Sequence, residues 1–240
     1  MIDIHCHLLP GIDDGAADLD AALRLARLAV AEGISHLVCT PHLQPRRFDN
    51  TATSIAAART AFAAALAAAG IPLRVGYAAE VRLDLAILTG VVDGSIPLLG
   101  TWRGQGVLLL EFPDHEVPVG AERLTQWLLG RGIVPLLAHP ERNRGILAKP
   151  ERLQPFLAQG CLLQVTATSL VGHFGSAPRD LARTLLREGL VTVLATDAHN
   201  ERYRPPRLRE PLALAAELIG EAQARALVED NPWAIVEGQF

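Results

Sequence analysis

The chain has 240 residues, half of them apolar, and a formal charge of −4, so it can bury a substantial core and reads as a globular protein. Its arginines are scattered rather than gathered into a stripe, which argues against nucleic acid or an anionic membrane surface as a partner. No apolar run approaches the roughly 18 residues of a membrane span, and the three cysteines, Cys6, Cys39 and Cys161, cannot all pair within one chain, which fits a reducing, cytoplasmic setting.

The amino terminus shows no leader-like segment, and a strand over Ile2–Ile4 runs directly into His5-Cys6-His7. Side chains alternate along a strand, so His5 and His7 share one side and Cys6 takes the other. A glycine-bounded turn, Gly11-Ile12-Asp13-Asp14-Gly15, adds carboxylates. The helix predicted over Asp18–Glu32 has Gly33 as its stop. A strand at His36–Thr40 reaches Pro41-His42, and an alanine-rich helix over Thr51–Ala69 ends at Gly70. The next strands are Leu73–Tyr77, which leads to Glu80, and Val107–Leu110, which leads to Glu111. After a helix at Gly120–Gly130, the strand Ile133–Ala138 delivers His139. Helices at Pro150–Gln159 and Pro178–Glu188 flank a strand at Leu162–Val165. The last strand, Val191–Ala195, is followed by Asp197-Ala198-His199, and a helix is predicted over Pro211–Glu229. Short strands alternating with helices, with no linker between them, predict one α/β domain over residues 1–240, with parallel strands closed into a barrel.

In a parallel barrel the strand C-termini share one face, and here nearly every one carries a metal-ligand residue type. Eight strand-end residues, His5, His7, His42, Glu80, Glu111, His139, Asp197 and His199, join one of the turn's two aspartates to make nine candidate ligands. Each alone has a bland reading as a buried histidine or a capping carboxylate. Together, uncompensated, they would carry a prohibitive desolvation and like-charge cost, and cations are the obvious compensation. Nitrogen and oxygen donors without thiolate suit manganese, iron or zinc. Nine ligands exceed the about four to six that one ion takes, so two or three divalent ions are expected.

The opening Met1-Ile2-Asp3-Ile4-His5-Cys6-His7-Leu8-Leu9-Pro10-Gly11-Ile12-Asp13-Asp14-Gly15-Ala16 resembles the bacterial tyrosine phosphatases of the PHP (polymerase and histidinol phosphatase) superfamily that accompany capsule and exopolysaccharide gene clusters. The likeness recurs in Cys39-Thr40-Pro41-His42, Glu80-Val81-Arg82, Leu110-Glu111-Phe112-Pro113, Leu137-Ala138-His139-Pro140-Glu141-Arg142-Asn143, Thr168-Ser169-Leu170-Val171-Gly172 and Thr196-Asp197-Ala198-His199-Asn200. It implies a distorted (β/α)7 TIM-like barrel and a manganese-favouring site of two or three ions. The implied activity is removal of phosphate from the tyrosine-rich tail of a bacterial tyrosine kinase. By that resemblance Asp14 is the ligand in the turn. His5, His7, Glu80 and Asp197 hold one ion, Glu80 bridges to a second held by Glu111 and His139, and Asp14, His42 and His199 hold a third. The same resemblance assigns Arg142 and Arg204 to phosphate binding. Thr196 stands where similar sequences often carry serine.

A metal-activated water is the expected nucleophile. A cysteine-dependent phosphatase needs an arginine six positions after its thiolate, and Ile12, Pro45 and Ala167 occupy those positions. Three rivals remain: a small-molecule phosphatase of the same superfamily acting on a histidinol-phosphate-like substrate, a metal-dependent amidohydrolase, and a non-catalytic metal-binding module that docks a kinase. The amidohydrolase reading is the weakest, since its common lysine bridge would fall to Lys149, which follows no predicted strand.

Overall fold

The computed structural model describes all 240 residues. Its first strand, β1 (Ile2–Cys6), leads through the aspartate-bearing turn to α1 (Leu19–Glu32). The side chain of Asp18 caps α1 by accepting from Ala21 N at 2.8 Å, and Gly33, at φ 92°, ends it in the left-handed region where a Cβ is costly. The second strand is interrupted: β2 (His36–Cys39) and β3 (His42–Leu43) are separated at Thr40-Pro41, where proline removes a ladder donor. After α2 (Ala52–Ala68), opened by a Thr51/Ser54 capping box, the third strand is split in the same way into β4 (Arg74–Tyr77) and β5 (Glu80–Arg82).

Beyond a short α3 (Ala86–Val92), β6 (Gly100–Trp102) folds antiparallel onto β7 (Gln105–Glu111). The remaining units are α4 (Ala121–Leu129), β8 (Ile133–Ala138), α5 (Arg144–Ala148), α6 (Gln154–Gln159), β9 (Leu162–Thr166), α7 (Ser176–Arg187) and β10 (Val193–Ala195). The chain ends with α8 (Arg209–Ile219), α9 (Glu221–Ala226) and α10 (Asp230–Val236). The single helix expected over Pro211–Glu229 is therefore two, broken at Gly220, whose φ 89°, ψ 152° lies outside the helical region. The segment expected as a helix from Pro150 starts with a 3-10 turn, Pro150–Leu153, before α6.

All seven expected strands are present and run parallel. One sheet has the order β1-β2-β4 and the other β10-β9-β8-β7-β5-β3. Because β2 continues into β3 and β4 into β5, the two sheets are joined through the chain itself. The remaining gap closes between the ends of the barrel: Asp197 N donates to His5 O, and His7 N donates to Ala198 O, each at 2.8 Å. The result is a closed seven-stranded α/β barrel, distorted at the two split strands.

Alternation along the strands sorts the core. Val107 and Leu109 of β7, Leu136 of β8 and Val193 of β10 belong to an inner apolar cluster, while Leu108, Leu110, Leu137 and Leu194 belong to the outer one beneath the helices. Ile235 and Val236 of α10 join the inner cluster at the strand N-termini, so that end is plugged. On β1, Ile2 and Ile4 face inward but Cys6 faces outward. The pairing with β2 slips by one residue between Asp3 and Cys6, and this bulge turns His5 and His7 together toward the open mouth. No helix is long and apolar enough to cross a membrane.

Candidate metal centre

The split strands have a direct consequence at the mouth: His42 of β3 and Glu80 of β5 are paired in register. The carboxylate of Glu80 is the hub. Its oxygens lie 3.3 Å from His5 Nε2, 3.3 Å from His7 Nε2, 3.0 Å from His42 Nδ1 and 2.7 Å from His139 Nε2. Asp197 Oδ1 stands 3.4 Å from Nε2 of both His5 and His7. On the solvent side, Asp14 Oδ1 faces His42 Nε2 at 3.4 Å and His199 Nε2 at 3.5 Å. Glu111 lies on the far side of His42, 3.9 Å from Nδ1, and 4.0 Å from His139 Nε2.

All nine sequence candidates thus converge, and their donor atoms form four overlapping groups, each compact enough to hold an ion. These are His7-Asp14-His42-His199, His5-His7-Glu80, His5-His139-Asp197 and His42-Glu80-Glu111. His139 and Asp197 adopt positive φ, 34° and 51°, a conformation sparsely populated by non-glycine residues and concentrated at functional sites.

The surroundings fix which nitrogen faces the cluster. Asp13 lies 2.7 Å from His7 Nδ1; an ionised carboxylate only accepts, so Nδ1 carries the proton and Nε2 presents its lone pair. The Oε1 atom of Gln164 accepts from His139 N at 3.2 Å, which settles the amide's orientation, and it sits 2.8 Å from His5 Nδ1. His5 is thereby fixed in the same tautomer. His199 Nδ1 donates to the Asp197 carbonyl at 2.9 Å, so its Nε2 also faces inward.

The donor set fits divalent cations. His42 Nδ1, Glu80 Oε2, Glu111 Oε2, Asp197 Oδ1 and His199 Nε2 are all buried and make no well-aligned hydrogen bond, meeting neighbouring candidate ligands and Arg82 only as close charged contacts, although buried polar atoms are ordinarily satisfied. The protein alone also leaves the charges in conflict. Burial, together with the Glu80 carboxylate, pushes Glu111 up to about 8. Burial pulls His42 down, but Glu80 and Asp14 outweigh it and lift the imidazole to about 10. His139 falls to about 4 through burial and the charge of Arg142, and His199 falls to about 4 through burial and His7. Burial opposes ionisation of Asp197, yet Arg204 and Arg142 hold it well below the usual carboxylate range.

Those arginines are the two singled out in the sequence. Arg142 Nη2 is 2.7 Å from Asp197 Oδ2, and Arg204 Nη2 contacts the same oxygen. Both line a cavity of about 310 Å³ above the cluster.

Several residues at the site were not legible in the sequence. Asp3, fully buried, accepts from both the backbone and the hydroxyl of Thr196 and so anchors the start of the Asp197 loop; burial raises it to about 6 against those bonds. Glu141 accepts from Thr166 N at 3.1 Å and Ser169 Oγ at 2.7 Å, tying the end of β9 behind Arg142. Arg82 Nη1 lies 3.0 Å from Glu111 Oε2. Gln164 and Glu141 act from behind the ligands, where polar residues in apolar runs give no local signal. Asp13 lies in the turn already identified, and its neighbour Asp14 is the one that reaches the mouth. The three cysteines are free and buried.

Comparison with known proteins agrees with this geometry. Residues 1–237 match the family described as capsular polysaccharide synthesis, CpsB/CapC. The tyrosine-protein phosphatase YwqE of Bacillus subtilis is 33% identical over 96% of this chain and 89% of its own length. The tyrosine-protein phosphatase CpsB of Streptococcus pneumoniae is 28% identical over the full length of both. A crystal structure from work on those two proteins, described as unique metal-dependent tyrosine phosphatases, superposes with a TM-score of 0.92 at 32% identity, covering 100% of this chain and 96% of the other. With its closed barrel and its convergent histidines and carboxylates, this chain belongs to the CpsB/CapC family of capsular polysaccharide synthesis proteins.

Proposed function

We propose that this protein is a metal-dependent phosphoric monoester hydrolase that removes phosphate from phosphotyrosine. We read its substrate as the tyrosine-rich tail of a bacterial tyrosine kinase controlling capsule or exopolysaccharide synthesis, and its setting as the cytoplasm. The observation that carries the reading is the cluster of nine convergent donor residues, seven of them buried, with five buried atoms that lack an aligned hydrogen bond, at the mouth of a barrel and flanked by two arginines. The ligands are His5, His7, Asp14, His42, Glu80, Glu111, His139, Asp197 and His199. The ions are two or three divalent cations, manganese first, with iron or zinc matching the same donors.

When bound, the ions supply Lewis acidity toward a phosphoryl group and toward water. The chain's own part is positional. Asp13 and Gln164 hold His7 and His5 in the tautomer that presents Nε2. Arg142 and Arg204 bring planar, permanently charged forks to the mouth, suited to the non-bridging oxygens of a phosphate dianion. No thiolate takes part: burial pushes Cys161 up to about 12, and Cys6 lies well above the usual thiol range.

The test is a comparison of phosphotyrosine peptide, phosphoserine peptide and histidinol phosphate as substrates of the manganese-loaded enzyme. Preference for the phosphotyrosine peptide supports the reading. Preference for histidinol phosphate would make it a small-molecule phosphatase, and no turnover of any of the three would leave a binding module.

A further inference from the structure

The cavity above the cluster is lined almost wholly by polar and charged side chains. Of its two phenylalanines, Phe112 is buried and packs on Phe156 with ring centroids 5.1 Å apart, so it belongs to the core. Phe174 is only half-buried and faces the cavity. Its ring covers the guanidinium of Arg142, with Cζ 4.8 Å from the ring centroid. Arg142 in turn reaches Asp197. One guanidinium therefore separates a part-exposed aromatic ring from the candidate ligands.

The ring is held in place. Its turn is braced by Gly172 N donating to Ser169 O at 3.0 Å, and by His173 N donating to Thr168 O at 3.1 Å. Ser169 is itself tied to Glu141. The His173 imidazole meets the Tyr203 carbonyl, linking this turn to the loop that carries Arg204, and stands edge-on to Phe174 at 5.1 Å.

We propose that Phe174 is a specificity-determining residue, forming the aromatic wall of a leaving-group subsite that selects aryl phosphates over alkyl phosphates. The proposal rests on the phosphatase reading above. A phosphoryl group bound by Arg142 carries its ester substituent one oxygen away, which brings that substituent within reach of the ring over the same guanidinium. A phenyl substituent gains an offset or edge-to-face contact there, favourable at centroid separations of about 4.5–7 Å. The methylene of phosphoserine or of histidinol phosphate presents no such face.

A ring that served only to steady Arg142 would make a different forecast, because its loss would weaken every phosphate ligand equally. Calorimetric titration of the manganese-loaded protein with phenylphosphonate and with inorganic phosphate separates the two. In wild type, phenylphosphonate is expected to bind more tightly. Phe174→Leu should lower that preference by about tenfold while leaving inorganic phosphate affinity and manganese content unchanged, and Phe174→Tyr should retain it. The ratio of kcat/KM for a phosphotyrosine peptide over a phosphoserine peptide should fall in parallel. Equal weakening of both ligands in Phe174→Leu, or no change in either, overturns the proposal. A wild type that hydrolyses phosphotyrosine peptide yet binds the two ligands equally would overturn it and leave the phosphatase reading standing. Absence of any phosphomonoesterase activity would overturn both.

Discussion

Asp13 Oδ2 lies 2.7 Å from Nδ1 of His7, and the same oxygen accepts the backbone N–H of His42 at 3.1 Å. One carboxylate thus orients two candidate ligands from different strands without facing the cluster itself. Burial works against its charge, but the His7 hydrogen bond holds Asp13 below the ordinary range. Asp13→Ala should weaken manganese binding about 10- to 100-fold with the barrel intact, read by metal titration alongside circular dichroism. Asp13→Asn, which keeps an acceptor, should lose less. Unchanged affinity in Asp13→Ala would show that His7 needs no such support.

Chelation should act on stability as well as turnover. Each ion bound to the folded state alone contributes about 2.7 kcal/mol at a hundredfold excess over its Kd, which for a chain of this size raises the melting temperature by about 5–10 °C per ion. Thermal melts with manganese and with a chelator measure this directly, and activity should return with the metal. Thiol alkylation of the native protein should leave activity unchanged, since all three cysteines are buried and unpaired. Full turnover in a preparation shown to be metal-free by elemental analysis would remove the metal from the mechanism.

Arg204 and Arg142 meet on one oxygen of Asp197. Arg204→Ala should lower kcat on the order of 10²–10³-fold, the typical cost of losing one charge-stabilising donor, with metal content preserved. Arg204→Lys should recover part of this, because lysine keeps the charge and loses the fork. Steady-state kinetics on a phosphotyrosine peptide, with manganese measured in each variant, checks it; wild-type values for Arg204→Ala would reduce the residue to an ion-pair partner of buried Asp197.

The seven strands expected from short runs of apolar and β-favouring residues were legible, because residue type and burial speak together there. The strands β3, β5 and β6, of two or three residues each, are too short to show a period, whereas β10, just as short, lies inside the largely apolar run Val191–Ala195 that marked it. Hence His42 and Glu80 were expected at the ends of longer strands, whereas each opens a new one after a break at Pro41 or at Ala78-Ala79. The candidate ligands were legible because histidines and carboxylates stand out at strand ends. Asp3 and Gln164 look like ordinary strand polar residues until the fold places Thr196 beside one and His5 beside the other. Phe174 gave no signal, since its importance lies in the partner it covers, 32 positions away in the chain.

The seam between β1 and β10 joins the chain's first strand to its last. During synthesis His5 and His7 emerge first, yet they cannot meet Asp197 and His199 until almost the whole chain has been delivered. Closing so long a loop is slow and rewards the chain only at the end, and until then a partial barrel exposes unpaired strand edges that invite aggregation. Assembly of the candidate metal cluster is therefore a late step in biogenesis: a nascent or truncated chain holds only fragments of it, and a chain that presents all nine residues together has, by that fact, finished folding.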